Sequence, residues 1–166
     1  MQFKAIISNI VILLLVIPIN LQAQNHTESG FSLALTHAAF DVLQQSRPSF
    51  EKRIELRKDI SDNDFGQFAG IMFTGNGAKH FYTGLYYNFH LYDIIVITPS
   101  FAPGLYLENN SKNLFYPLEF RSQIEVSVKL LSNTRIGLSF NHISNAGLGD
   151  ENPGVESFAV TYVISL

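Results

Sequence analysis

Residues 118–130 read LEFRSQIEVSVKL, and this stretch decides the fold. Leu118, Phe120, Ile124, Val126, Val128 and Leu130 share one parity, with Ser122 as the exception. Glu119, Arg121, Gln123, Glu125, Ser127 and Lys129 share the other. A period of two held over thirteen residues is the pattern of a strand with one greasy face and one polar face. Soluble strands usually run about five or six residues. A tilted strand crossing a bilayer needs about nine to eleven.

The same rhythm continues outward from this segment. Residues 135–144 set Ile136, Leu138 and Phe140 against Arg135, Gly137, Ser139 and Asn141. Residues 156–166 set Phe158, Val160, Tyr162, Ile164 and Leu166 against Ser157, Ala159, Thr161 and Ser165. Residues 81–92 alternate Phe81, Leu85, Tyr87, Phe89 and Leu91 with Tyr82, Gly84, Tyr86, Asn88 and His90. A tight turn at Tyr92-Asp93 leads into 94–108, where Pro99 and Pro103 each remove a ladder donor and suggest a bulge or two shorter pieces. Residues 65–74 read as a strand, and so do 50–60, although Lys52 and Lys58 interrupt the apolar side. Residues 30–40 read as a strand, with a short helix through 37–45 as the competing reading. Counting 30–40 gives eight strands, the even number that a closed bacterial barrel requires. Turn signals separate the segments at Gly75-Asn76-Gly77, Asn109-Asn110-Ser111, Ser132-Asn133 and Asn152-Pro153-Gly154.

Composition fits either a β-rich soluble core or a lipid-facing exterior, and the long alternating strands choose between them. The chain has 166 residues, 46% hydrophobic and 13% aromatic, with only 15% charged. An ordinary soluble domain carries roughly 25% charged residues. There is no cysteine, which excludes a disulfide scaffold, a thiol enzyme and a Cys-based zinc site. A formal charge of −3 gives no basic footprint for nucleic acid. Residues 1–23 carry Lys4, an apolar run from Ile10 to Ile19 and a small residue at Ala23. That is the pattern of a secretory signal peptide, leaving 24–166 as one exported barrel domain. Pro18 and the bracketing Asn9 and Asn20 make the run a poor transmembrane helix.

Polar residues on the greasy parity need an explanation. His142 and Ser144 continue the parity of Ile136, Leu138 and Phe140, and Glu156 begins that of Phe158 and Val160. All three project outward at one end of two consecutive strands, which residues 145–155 connect. A serine hydrolase would use such a set. A serine hydroxyl becomes nucleophilic when a neighbouring imidazole takes its proton, and a carboxylate orients that imidazole. Strand neighbours i and i+2 lie about 7 Å apart on one face, and the adjacent strand is about 5 Å away. Asn145, Gly147 and Asn152 in the connection offer donors to a developing oxyanion. The bland alternative is three interfacial polar residues. His90 reads as a lumen histidine, and His26, His37 and His80 as solvated ones. No His/Asp/Glu cluster has metal spacing. Arg53, Glu55, Arg57, Glu119, Arg121 and Glu125 read as a paired polar interior.

The run Phe140-Asn141-His142-Ile143-Ser144-Asn145-Ala146-Gly147-Leu148, with Asn152-Pro153-Gly154-Val155-Glu156-Ser157 after it, resembles the signature of the PagL family of lipid A 3-O-deacylases. The resemblance is tight over 136–158 and looser over 81–166. It implies an eight-stranded antiparallel outer-membrane β-barrel with its triad on the lipid-facing side. It implies His142 as base, Ser144 as nucleophile and Glu156 as orienting carboxylate. Asn145, Gly147 and Asn152 would then shape the site and oxyanion hole. The expected reaction is hydrolysis of the 3-O-linked primary acyl chain of lipid A. Phe140 and Phe158 would pack the acyl chains, and neither metal nor organic cofactor is required. The expected partners are lipopolysaccharide as substrate and the outer membrane, with a homodimer as a further candidate assembly and no nucleic acid. The rivals are a non-enzymatic structural or adhesion barrel, an esterase acting on phospholipids, and a soluble lipocalin-like binder.

Overall fold

A computed structural model of the chain describes residues 30–60, 64–92, 94–131 and 133–166. The expected signal peptide and His26 lie outside the described residues, as do Asp93 and Ser132 of two expected turns. The strands are β1 (Phe31–Phe40), β2 (Ser49–Asp59), β3 (Phe65–Thr74), β4 (Lys79–Tyr87), β5 (Phe89–Leu91), β6 (Ile95–Leu107), β7 (Leu118–Leu131), β8 (Thr134–Ser144) and β9 (Val155–Ser165). Neighbours pair antiparallel in the order β4-β3-β2-β1-β9-β8-β7-β6-β5, and β4 also pairs with β6, which closes the sheet. Both β4 and β5 pair with β6, so they are one stave broken at Asn88. The barrel therefore has eight staves.

Following register partners around the wall gives its shear. The path runs Thr134, Ile164, Leu33, Leu56, Ala69 and Thr83, crosses to Pro103, and continues through Phe120 to Ser144. It returns to β8 ten residues from its start. That stagger tilts the staves by the roughly 35–45° usual for barrels.

The strand reading of 30–40 holds against its helical rival, and the expectation for the prolines changes. Residues 37–45 do not form a helix. Strand β1 runs to Phe40, and His37 is held between Lys52 of β2 and Val160 of β9. The prolines do not split their own strand either. Strand β6 is continuous through Pro99 and Pro103, and its ladder with β7 includes both. The gaps fall on the other side. The β4 ladder skips the positions opposite Ala102 and Pro103, and the stave breaks at Asn88, beside the partner position of Pro99. Missing N–H donors at residues i and i+4 face the same neighbour, so the neighbour carries the interruption.

The two parities separate as expected. Ile54, Leu56, Phe81, Leu85, Phe101, Ile124, Val126, Leu138 and Phe158 are exposed on the outside. Inside, Arg53, Glu55, Arg57, Arg121 and Glu125 are buried and paired, while Glu119 is buried with no hydrogen bond to its carboxylate among the described residues. Arg57 donates to Glu55 at 2.8 Å and to Glu125 at 3.0 Å. Arg121 donates to Glu55 at 2.7 Å, and Tyr82 Oη donates to the same carboxylate at 2.9 Å. Arg53 Nε lies 2.6 Å from Glu51. Glycine makes room for this filling: a β-carbon on Gly66 would overlap the Tyr86 ring at 2.1 Å, and these two residues are register partners. His37 and His80 are buried rather than solvated, at 7% and 0% exposure. His37 packs on Phe50 on the outer face, and His80 lies inside against Tyr82 and Tyr106. His90 sits at the barrel's rim, 3.0 Å from Asp64.

Longer connections gather at one end of the barrel, at 41–48, 108–117 and 145–154, beside the 75–78 turn. Beneath them Phe40, Met72, Tyr106, Leu114, Ile143 and Val155 form a buried apolar plug.

Candidate active site

Strand pairing puts His142 of β8 directly opposite Glu156 of β9. Their side chains meet on the outer face, with His142 Nδ1 2.9 Å from Glu156 Oε1. An ionised carboxylate only accepts, so Nδ1 is the donor and carries the ring proton. The Nε2 lone pair is then left free to take a proton, as a general base requires. The Glu156 side chain is only 12% exposed although it lies on the outward parity. The β1–β2 connection crosses above it, where Val42 N–H donates to the Glu156 carbonyl at 3.0 Å.

Ser144 follows two residues after His142 on the same face and is the last residue of β8. It pairs with Phe120 of β7 and is part-exposed. His142 and Glu156 are thus brought into contact, while Ser144 stands beside them with no hydrogen bond to the imidazole. Phe140 and Phe158 face each other across β8 and β9, one step further into the apolar belt, 39% and 47% exposed.

The connection after Ser144 is fixed largely by one side chain. Asn145 is fully buried. Its Nδ2 donates to the carbonyls of Leu114 at 2.8 Å and Glu151 at 2.7 Å. Its Oδ1 accepts from Gly147 N–H at 2.8 Å, and its own N–H donates to Asn152 Oδ1 at 3.1 Å. Both donors of the Asn145 amide and the Gly147 N–H are therefore spent on the loop. Accepting through Oδ1 fixes the orientation of the Asn152 amide, whose Nδ2 makes no protein hydrogen bond among the described residues. Of the three donors expected from the sequence, it is the one left to serve a ligand.

Three features of the site had no site role assigned from the sequence pattern. Ser122 of β7 is the register partner of His142 on the side away from Glu156, and it is exposed. Its only signal was being the sole polar residue on the greasy parity of its strand. Leu114 supplies the carbonyl that anchors Asn145 from another loop. Gly154 packs against the His142 ring.

Comparison with known proteins agrees with this architecture. The sequence model of the lipid A 3-O-deacylase (PagL) family matches residues 49–165. No curated protein matches the chain. Among solved structures, the outer membrane enzyme PagL is similar with a TM-score of 0.67 and 21% identity, covering 81% of this chain and 99% of that one. Neisserial surface protein A is similar with a TM-score of 0.61 and 14% identity, covering 83% and 98%. A de novo designed transmembrane β-barrel gives 0.58 at 6% identity, covering 81% and 95%. At these identities the structural likenesses speak for the fold.

Proposed function

The chain belongs to the lipid A 3-O-deacylase (PagL) family, and on that premise we propose that it removes the 3-O-linked primary acyl chain of lipid A through Ser144, His142 and Glu156. It is an outer-membrane β-barrel of the deacylase family. The observation that carries the residue assignment is the 2.9 Å bond between His142 Nδ1 and Glu156 on the lipid-facing wall. A carboxylate on that face is costly unless it lies near the interface, and catalysis at the interface gives it a use.

In the proposed reaction His142 Nε2 takes the Ser144 hydroxyl proton as Oγ attacks the ester carbonyl. The imidazolium that forms is stabilised by the Glu156 carboxylate. Asn152 Nδ2 donates to the oxyanion, while Asn145 and Gly147 hold the loop that presents it. His142 then returns its proton to the departing sugar hydroxyl. Water, deprotonated by the same imidazole, releases the fatty acid from Ser144. Phe140 and Phe158 give the acyl chain an apolar track on the outer wall, so no interior pocket is needed.

Membrane barrels have short periplasmic turns and long external loops. With the 41–48, 108–117 and 145–154 connections outside, Ser144 stands at the outer-leaflet interface, where lipopolysaccharide is. The leading residues 1–23 act as the export signal in this reading. Mass spectrometry of lipid A from cells with and without the protein tests the proposal. Loss of one ester-linked acyl chain at position 3 is the expected result. Release of fatty acid from phospholipid alone would replace the substrate.

A further inference from the structure

The His142 side chain is 44% exposed at the lipid-facing rim. Its bond to Glu156 fixes one ring atom, and a ring held by one atom still swings about it. Useful catalysis needs Nε2 to stay aimed at the Ser144 hydroxyl. Among the described residues no second hydrogen bond to the ring keeps it there.

Gly154 supplies the missing constraint. A β-carbon built on this residue would lie 2.5 Å from His142 Cε1, 3.2 Å from Nε2 and 3.4 Å from Nδ1. The backbone therefore packs against three atoms of the imidazole at a distance that only a bare α-carbon permits. Gly154 also has φ +61°, in the left-handed region where glycine is favoured.

This wall is held from another loop. Gln44 Nε2 donates to the Pro153 carbonyl at 2.7 Å, next to Gly154. Gln44 Oε1 accepts from Lys112 Nζ at 2.8 Å, and Lys112 Nζ also pairs with Asp41 at 2.8 Å. Tyr106 Oη tethers the Lys112 carbonyl at 3.0 Å. The 41–48 segment thus braces the residue beside Gly154 and, through Val42, the strand that carries Glu156.

We propose that Gly154 is a positioning residue for His142: its bare α-carbon is the wall against which the imidazole is set, and Gln44 holds that wall through the Pro153 carbonyl. The proposal deepens the triad reading and rests on it. Carbon contacts settle at about 3.5–4.0 Å, so a methyl at 154 forces the ring or the loop to move by about 1 Å. A misplacement of that size costs on the order of 100-fold in rate.

The test uses the purified barrel in detergent micelles with lipid A. Gly154→Ala should lower kcat on the order of 100-fold with KM nearly unchanged, because the acyl track at Phe140 and Phe158 is untouched. The variant should remain a heat-modifiable barrel. Gly77→Ala controls for backbone strain. It adds the same methyl at φ +94 in a distant turn, where the nearest contact is Asn109 Cβ at 3.6 Å, and it should leave kcat alone. Gln44→Ala should lower kcat in the wild type and have little effect in the Gly154→Ala background, because the wall has already moved. A second readout needs no turnover: the hydrogen-bonded Nδ1 proton of His142, assigned by its absence in His142→Ala, should shift or broaden in Gly154→Ala and persist in Gly77→Ala. Wild-type kcat in Gly154→Ala, a change confined to KM, additive effects in the double variant, or an unmoved Nδ1 proton would each overturn the proposal. A wild-type protein that releases no acyl chain would instead refute the proposed function, and the Nδ1 proton would still decide the role of Gly154.

Discussion

The two oxygens of Glu156 have different surroundings: Oε1 accepts from His142, and Oε2 is buried without a partner. An amide at this position could donate to Nδ1 and leave the proton on Nε2, where the base is needed. Glu156→Gln should therefore lower kcat by about 10²–10⁴-fold while the barrel stays folded, measured on purified protein. Two hydroxyls flank the imidazole, Ser144 along β8 and Ser122 across on β7. Ser122→Ala should retain activity within a few-fold, and Ser144→Ala should have none. The reverse pattern in lipid A assays would transfer the nucleophile to Ser122. The outward placement of His142, Ser144 and Glu156 was legible in the sequence because each is polar on a greasy parity. Gly154 was legible only as a turn residue, since parity gives the face of a side chain and not what packs against it. Ser122 was visible as an exception, but only the register with β8 gave that exception a neighbour.

The 145–154 connection is ordered by hydrogen bonds rather than by a core of its own. Asn145 joins it to the 108–117 segment through Leu114. Asn145→Ala removes both donors and leaves the buried Leu114 carbonyl unpaired, at about 1–3 kcal/mol. It should cut activity by at least tenfold and speed proteolytic cleavage within the connection, with the barrel wall resistant. The ion pair of Lys112 and Asp41 fastens the neighbouring segments. Burial alone would raise the Asp41 carboxyl, but the Arg47 N–H, the Lys112 ammonium and the Ser46 hydroxyl together hold it below the ordinary carboxylate range. A depressed folded-state value stabilises above the unfolded-state value and is lost as pH falls through the folded one. Loop protection from proteolysis should therefore be complete at neutral pH and weaken only in strong acid, below about pH 4. None of these cross-loop bonds was readable from spacing, because partners such as Lys112 and Asp41 are separated by 71 residues. Strand assignment was far more legible, since alternation is local. It erred where a proline's effect falls on the neighbouring strand, as at Asn88.

Across the whole molecule, a polar interior and an apolar exterior reverse the soluble pattern. Inside, Glu55 gathers Arg57, Arg121 and Tyr82. Glu55→Ala takes the carboxylate away from buried Arg121 and leaves Arg57 with Glu125 alone, and it should destabilise the barrel by about 3–5 kcal/mol, read as a lower urea midpoint. Glu119 is fully buried with neither carboxylate oxygen hydrogen-bonded. Glu119→Gln should be neutral or stabilising in the same assay. Charges on the inward parity were readable as a paired interior except at Glu119, and which carboxylate is the hub depends on how the barrel closes. In the proposed function, chemistry on a membrane substrate takes place outside this closed interior, on the lipid-facing wall. The most direct measurement is the mass spectrum of lipid A from cells expressing the wild type or Ser144→Ala, with both barrels shown to be folded by heat modifiability. The wild type should yield lipid A lacking its 3-O-linked acyl chain, and Ser144→Ala should leave lipid A intact. Deacylation by Ser144→Ala at the wild-type level would contradict the account.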